Sequence, residues 1–71
     1  MPKDIKRAFG SRVRALRKSR HWSQEEMGEA CDLHWTYIGP VERGERNLGL
    51  QSIEKIARGL KVTLSELMRG V

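Results

Sequence analysis

The sequence predicts an all-α fold, a bundle of five helices in one domain spanning residues 1–71. Three observations carry that prediction. Apolar residues recur at three- and four-residue spacing in segment after segment. Two Ser/Thr-x-x-Glu stretches mark helix starts. No run alternates apolar and polar residues as a half-buried strand does. A chain of 71 residues fits one domain with a modest core. The lone Cys31 allows neither an internal disulfide nor a four-cysteine site. Stability then rests on helix packing, oligomerisation, or both.

The first helix is expected from about Lys3 to Lys18, where Ile5, Phe9, Val13 and Leu16 form one apolar stripe and Gly10 is a weak point. Ser23-Gln24-Glu25-Glu26 opens the second as a capping box, with Trp22 and Met27 placed to form a hydrophobic staple. Met27, Ala30 and Cys31 should face inward, and Gly28 suggests close approach of another helix. Asp32-Leu33-His34 is a tight turn in which Asp32 tolerates the left-handed conformation. The third helix buries Ile38 and Val41 and stops at Gly44. After the Asn47–Gly49 loop, Leu50, Ile53, Ile56, Ala57 and Leu60 mark the fourth. Thr63-Leu64-Ser65-Glu66 is a second capping box, opening a short fifth helix with Leu64, Leu67 and Met68.

Two short helices joined by a turn of about three residues make a helix-turn-helix pattern. The charge distribution points to a polyanionic partner. Residues 1–20 hold eight basic residues against Asp4, a net +7, while the rest holds six basic against eight acidic, a net −2. The plain alternative is a solvated helix face. His21 and His34 lack a Cys, Asp or Glu cluster at metal spacing, and there is no nucleophile context and no Gly-rich phosphate loop. The sequence therefore predicts no enzyme, no cofactor and no metal. With a charged start and no long apolar run, it predicts a soluble cytoplasmic protein without a membrane partner.

The stretch SQEEMGEACDLHWTYIGPVERGERNLGLQSIEKIARGLKVTLSEL resembles the phage-repressor and Cro-like, or XRE-type, helix-turn-helix family, and the resemblance covers residues 10–67. The SQEE start, the YI pair, the ERG ending and the LxxIxxIAxxLxVxxxEL tail carry it. Size and the ERN segment are most similar to the controller proteins of restriction–modification systems. The resemblance implies a lambda-repressor-like five-helix bundle whose third helix enters the major groove of double-stranded DNA. It implies phosphate contact and bracing of that helix by Gln24, at the helix start capped by Ser23. Trp35 and Thr36 take the leading base-contact positions. Arg43, Arg46 and Asn47 follow as phosphate or groove contacts, and the Tyr37 hydroxyl reaches a phosphate while its ring packs on the fourth helix or the turn. Arg17 and Glu42 match a buried ion pair between helices one and three.

Each position also has a plainer role. Gln24 and Thr36 fit exposed first-turn residues, Arg43 fits a helix C-terminal cation, Arg46 fits a loop charge, Trp35 fits the core, and Arg17 and Glu42 fit surface charges. The sequence also departs from the family at His34, where a Ser or Thr cap is usual, and at Trp35, where arginine is frequent. The third departure is Gly39-Pro40 in mid-helix. A helical wheel puts that pair on the exposed face with Thr36 and Arg43. Pro40 cannot donate to the Thr36 carbonyl, a cost of about 3 kcal/mol unless a kink relieves it. The helix centre then acts as a smooth spacer. Trp35, Thr36 and Pro40 are left to meet thymine methyls, Arg46 to read a guanine, and DNA shape to supply more of the specificity.

The reading that follows is a homodimeric transcriptional regulator on a near-palindromic operator, its dimer surface on the fifth helix with Leu64, Leu67, Met68 and Val71. The alternative is an adaptor or antitoxin-like module that uses the same fold to bind protein.

Overall fold

The Asp4 carboxylate accepts hydrogen bonds from the backbone N–H groups of Lys6 and Arg7 at 3.1 and 3.4 Å, and this cap opens α1 (Ile5–Ser19). The computed structural model describes residues 4–71, so the helix start expected near Lys3 lies outside the described residues. Phe9 and Val13 are buried, Leu16 packs against the core from its edge, and Ile5 at the head of the stripe is exposed. Gly10 is more than a weak point. A Cβ there would run into the Val41 carbonyl and lie 2.6 Å from that of Glu42, so the missing side chain is what lets α1 meet α3 (Trp35–Glu42).

The second helix, α2 (Gln24–Cys31), starts with the expected box. Ser23 Oγ accepts the Glu26 N–H at 3.0 Å, and the Glu26 carboxylate accepts the Ser23 N–H at 2.8 Å. Its C-terminus closes on Asp32 at φ 56°, ψ 44°, with the Leu33 N–H returned to the Gly28 carbonyl at 2.9 Å. The approach that Gly28 allows is that of the turn and the first residue of α3. A Cβ on it would stand 2.7 Å from the Leu33 carbonyl oxygen and 2.9 Å from Trp35 Cα. Met27 and Cys31 are buried, but Ala30 is exposed. One turn of a helix this short fills its inward stripe with those two and Gly28.

The fourth helix, α4 (Leu50–Leu60), buries Ile56, Ala57 and Leu60, and α5 (Leu64–Leu67) buries Leu67. Thr63 and Glu66 form the second capping box, each accepting the other's backbone N–H at 3.0 Å. Met27, Ile38, Ile56, Leu60 and Leu67 are the largest fully buried side chains of the single core, and no described residue lies in a strand. Within it α3 packs on α1 and α2, while α4 carries α2 on one side and α5 on the other. Leu50, expected in the core, turns outward (86% exposed), and Leu64, expected at a dimer surface, is exposed as well (53%).

Burial in this core pushes the Cys31 thiol up to about 11. Because the thiolate is the reactive form, Cys31 should resist a thiol-labelling reagent at neutral pH until denaturant is added. Labelling of the folded protein at the rate of a free thiol would contradict this packing.

Candidate nucleic-acid interface

The turn after α2 throws the start of α3 to the surface. Asp32, His34, Trp35 and Thr36 are all exposed, while Ile38 and Val41 one turn on are buried. Trp35 does not tuck into the core; it is 49% exposed, and its ring lies 6.2 Å from that of His34 at 26°. His34 is a better cap than its residue type suggests. Its Nδ1 accepts the Thr36 N–H at 3.3 Å and lies 2.7 Å from Thr36 Oγ1. The imidazole thus does the work of the missing serine, and it turns the Thr36 hydroxyl back toward the protein.

Behind α3 stands the ion pair expected from the sequence. Arg17 donates Nε to Glu42 Oε2 at 2.6 Å and Nη2 to Oε1 at 3.0 Å, and its Nη1 reaches the Trp22 carbonyl at 2.7 Å. The two side chains are 11% and 4% exposed. The carboxylate hydrogen bond, with its charge, raises the Arg17 pKa against the opposing effect of burial. Gln24 Nε2 joins by donating to Glu42 Oε1 at 3.3 Å, so the first residue of α2 braces the last of α3. Ser23 is held in its cap. Among the described residues the N–H groups of Gln24 and Glu25 keep no intramolecular acceptor, which makes this end of α2 attractive to an anion.

The Gly39-Pro40 pair is not the exposed strip that a helical wheel suggests. Gly39 is buried and Pro40 half-buried. What covers Gly39 is polar. A Cβ on it would lie 3.1 Å from Arg43 Nη1 and 3.4 Å from Gln24 Oε1, so the side chains of Arg43 and Gln24 lie across the bare backbone. The pair also fits together locally. A residue before proline is disfavoured in the α conformation partly because its Cβ meets the proline ring, and glycine has none. The helix continues through Pro40, with the Arg43 N–H bonded to Gly39 and the Glu45 N–H to Pro40, both at 3.0 Å.

Beyond α3 the chain turns at Gly44, with φ +75°. The turn creates a contact that sequence reasoning missed. Exposed Arg43 donates Nε and Nη2 to the two carboxylate oxygens of Glu45 at 2.9 and 3.2 Å. Residues two apart do not face each other on a helix, so only the positive φ at Gly44 could have signalled this pair. The hydrogen bond from Arg43 holds Glu45 below the usual carboxylate range. Arg46 stacks its guanidinium 5.0 Å above the Tyr37 ring, and Tyr37 is half-buried against the core. Asn47 is exposed beside Arg46. Trp35, Thr36, Arg43, Arg46 and Asn47 are thus all exposed, and the side chains of Gln24 and Arg43 meet over Gly39. No described residues group as a metal site, and no described helix is long and apolar enough to cross a membrane.

This arrangement has relatives. The helix-turn-helix family model HTH_3 matches residues 13–67. The chain is 45% identical over 69 residues to control protein C.BamHI of Bacillus amyloliquefaciens, covering 96% of this chain and 85% of that one. It is 44% identical to control protein C.MunI of Mycoplasma sp, covering 96% and 93%. Among solved structures, the restriction-modification controller protein C.AhdI from Aeromonas hydrophila superposes with a TM-score of 0.82 at 41% identity, over 90% of this chain and 96% of that one.

Proposed function

The chain belongs to the HTH_3 helix-turn-helix family, and from that premise we propose that it is a DNA-binding transcriptional regulator of the restriction–modification control kind. In this reading two copies bind a near-palindrome, each with α3 in a major groove. One observation carries it: the first turn of α3 stands out of the bundle with Trp35 and Thr36 exposed, and Arg43 and Arg46 flank its far end. Phosphates would be met by Gln24, by the free amides at the start of α2, and by Arg43 after it parts from Glu45. With its hydroxyl engaged by His34, Thr36 offers its methyl more readily than a donor. Thymine contact by Trp35, Thr36 and Pro40, with guanine read by Arg46, then makes up the direct readout. Stacking on Tyr37 limits the rotamers of Arg46 before it binds, which lowers the ordering cost.

Binding-site selection from random duplexes should return two half-sites related by a dyad, with thymine enriched under the front turn. Affinity for the selected duplex should fall steeply with salt. No duplex binding at low salt would end this reading and favour a protein-binding adaptor.

The dimer contact is supported by the outward face of α4 and α5, where Leu50 and Leu64 meet around half-buried Ile53. Leu67, expected at this surface, instead closes the core of its own chain. A second copy docked symmetrically would cover Leu50 and Leu64 in an isologous contact. The double variant Leu50→Glu, Leu64→Glu should therefore sediment as a monomer at concentrations where the wild type is a dimer. It should lose selected-site affinity while its helix content is unchanged. A double variant that remains dimeric would place the contact elsewhere.

A further inference from the structure

Resting on that reading, we propose that Arg14, on α1, makes a backbone-phosphate contact of its own. A cleft of about 210 Å³ opens between α1, α2 and α3, lined by Arg14, Arg17, Gln24, Gly39, Glu42 and Arg43. Its charges balance almost completely inside the protein. Arg17 is bound to Glu42 through two hydrogen bonds, and Arg43 is bound to Glu45 through two more. Arg14 is the exception. It is exposed, three residues before Arg17 on the same side of α1, and it makes no hydrogen bond or ion pair with any described residue. It is the cleft's uncompensated charge.

The other walls suit an anion at this place. Gln24 lies at the start of α2 beside amides that lack acceptors, and its side chain is already held by Glu42. Gly39 contributes no side chain to the cleft floor, and the side chains of Gln24 and Arg43 lie across it. A phosphodiester of the strand bordering the groove that α3 enters would meet Gln24 on one side and the fork of Arg14 on the other. Arginine suits that task because its planar donors pair two at a time with phosphate oxygens.

The test compares the full-length wild type with Arg14→Gln, Arg14→Lys and Lys61→Gln, on a duplex recovered by selection and on random duplex, across a salt series. Lys61 is an exposed cation that lines no part of the cleft, so its variant carries the same loss of net charge as Arg14→Gln. The expected result is that Arg14→Gln flattens the slope of log affinity against log salt by about one, on both duplexes. Affinity at 0.1 M salt should fall roughly five- to tenfold. Arg14→Lys should keep most of the slope, Lys61→Gln should leave it unchanged, and all three should melt as the wild type does. Equal effects of Arg14→Gln and Lys61→Gln would overturn the proposal in favour of diffuse charge. So would a wild type with a steep salt dependence that Arg14→Gln leaves untouched, and in that case the regulator reading stands. A wild type that binds no duplex at any salt sinks both.

Discussion

Glu42→Ala should destabilise the fold by about 3–5 kcal/mol, because removing one partner of a buried ion pair leaves the other charged and unmatched. Three interactions converge on this carboxylate, two from Arg17 and one from Gln24. The Arg17 guanidinium would keep only the Trp22 carbonyl. Against the 5–15 kcal/mol of a typical domain this is a large fraction, so urea melts followed by circular dichroism should show the midpoint collapse at unchanged m-value. The pair itself is not expected to be worth that much. Replacing both members together, as Arg17→Met with Glu42→Leu, should recover much of the loss, since a packed apolar pair often matches a buried ionic one. It should not recover DNA binding, because Gln24 would lose the acceptor that fixes it to α3. A loss below about 1 kcal/mol for Glu42→Ala would mean that the pair behaves like a surface salt bridge.

Pro40→Ala should do the opposite and stabilise the fold by about 2 kcal/mol. Mid-helix proline costs about 3 kcal/mol through the absent N–H and the crowded carbonyl four residues back, here that of Thr36. Part of that is offset by about 0.4–1 kcal/mol, because proline restricts the unfolded chain. Gly39 removes a further clash by having no Cβ. For a domain of this size the net gain corresponds to a rise in Tm of about 8–16 °C. The variant should keep the guanine preference assigned to Arg46 and lose thymine preference only beneath Pro40, where alanine offers less apolar surface to a methyl. No change in Tm would mean that the helix has relaxed around the ring and relieved the cost already.

Much of this architecture is written in local chemistry. Ser23 with Glu26 and Thr63 with Glu66 announce two helix starts, because the interactions close within one turn. Asp32 and Gly28 declare the turn for similar reasons. What could not be read are the contacts that depend on where elements finally lie. Gly10 reads as a defect until α3 crosses it. Leu50 reads as core because its spacing is helical, but spacing does not say how wide the covered stripe will be. Gly39 falls on the outer arc of a wheel, yet Gln24 and Arg43 reach over and bury it. His34 lacks a hydroxyl, and only the ring position shows that a nitrogen can serve. The interface residues came from resemblance to a family, and their geometry then explains what each is held by: Arg17 and Gln24 hold Glu42, Glu45 holds Arg43, and Tyr37 carries Arg46.

In the proposed complex the outward turn beginning at Trp35 enters a major groove and touches base edges there. Uracil substitution for thymine probes that contact, because it deletes one major-groove methyl and leaves pairing intact. In a selected duplex, replacing the thymines beneath the front turn one at a time should weaken wild-type binding by roughly fourfold per methyl, the worth of one buried carbon. In Trp35→Ala that sensitivity should shrink at the position the indole covers. If the wild type binds the fully uracil-substituted duplex as tightly as the original, the methyl-reading arrangement of Trp35, Thr36 and Pro40 is wrong.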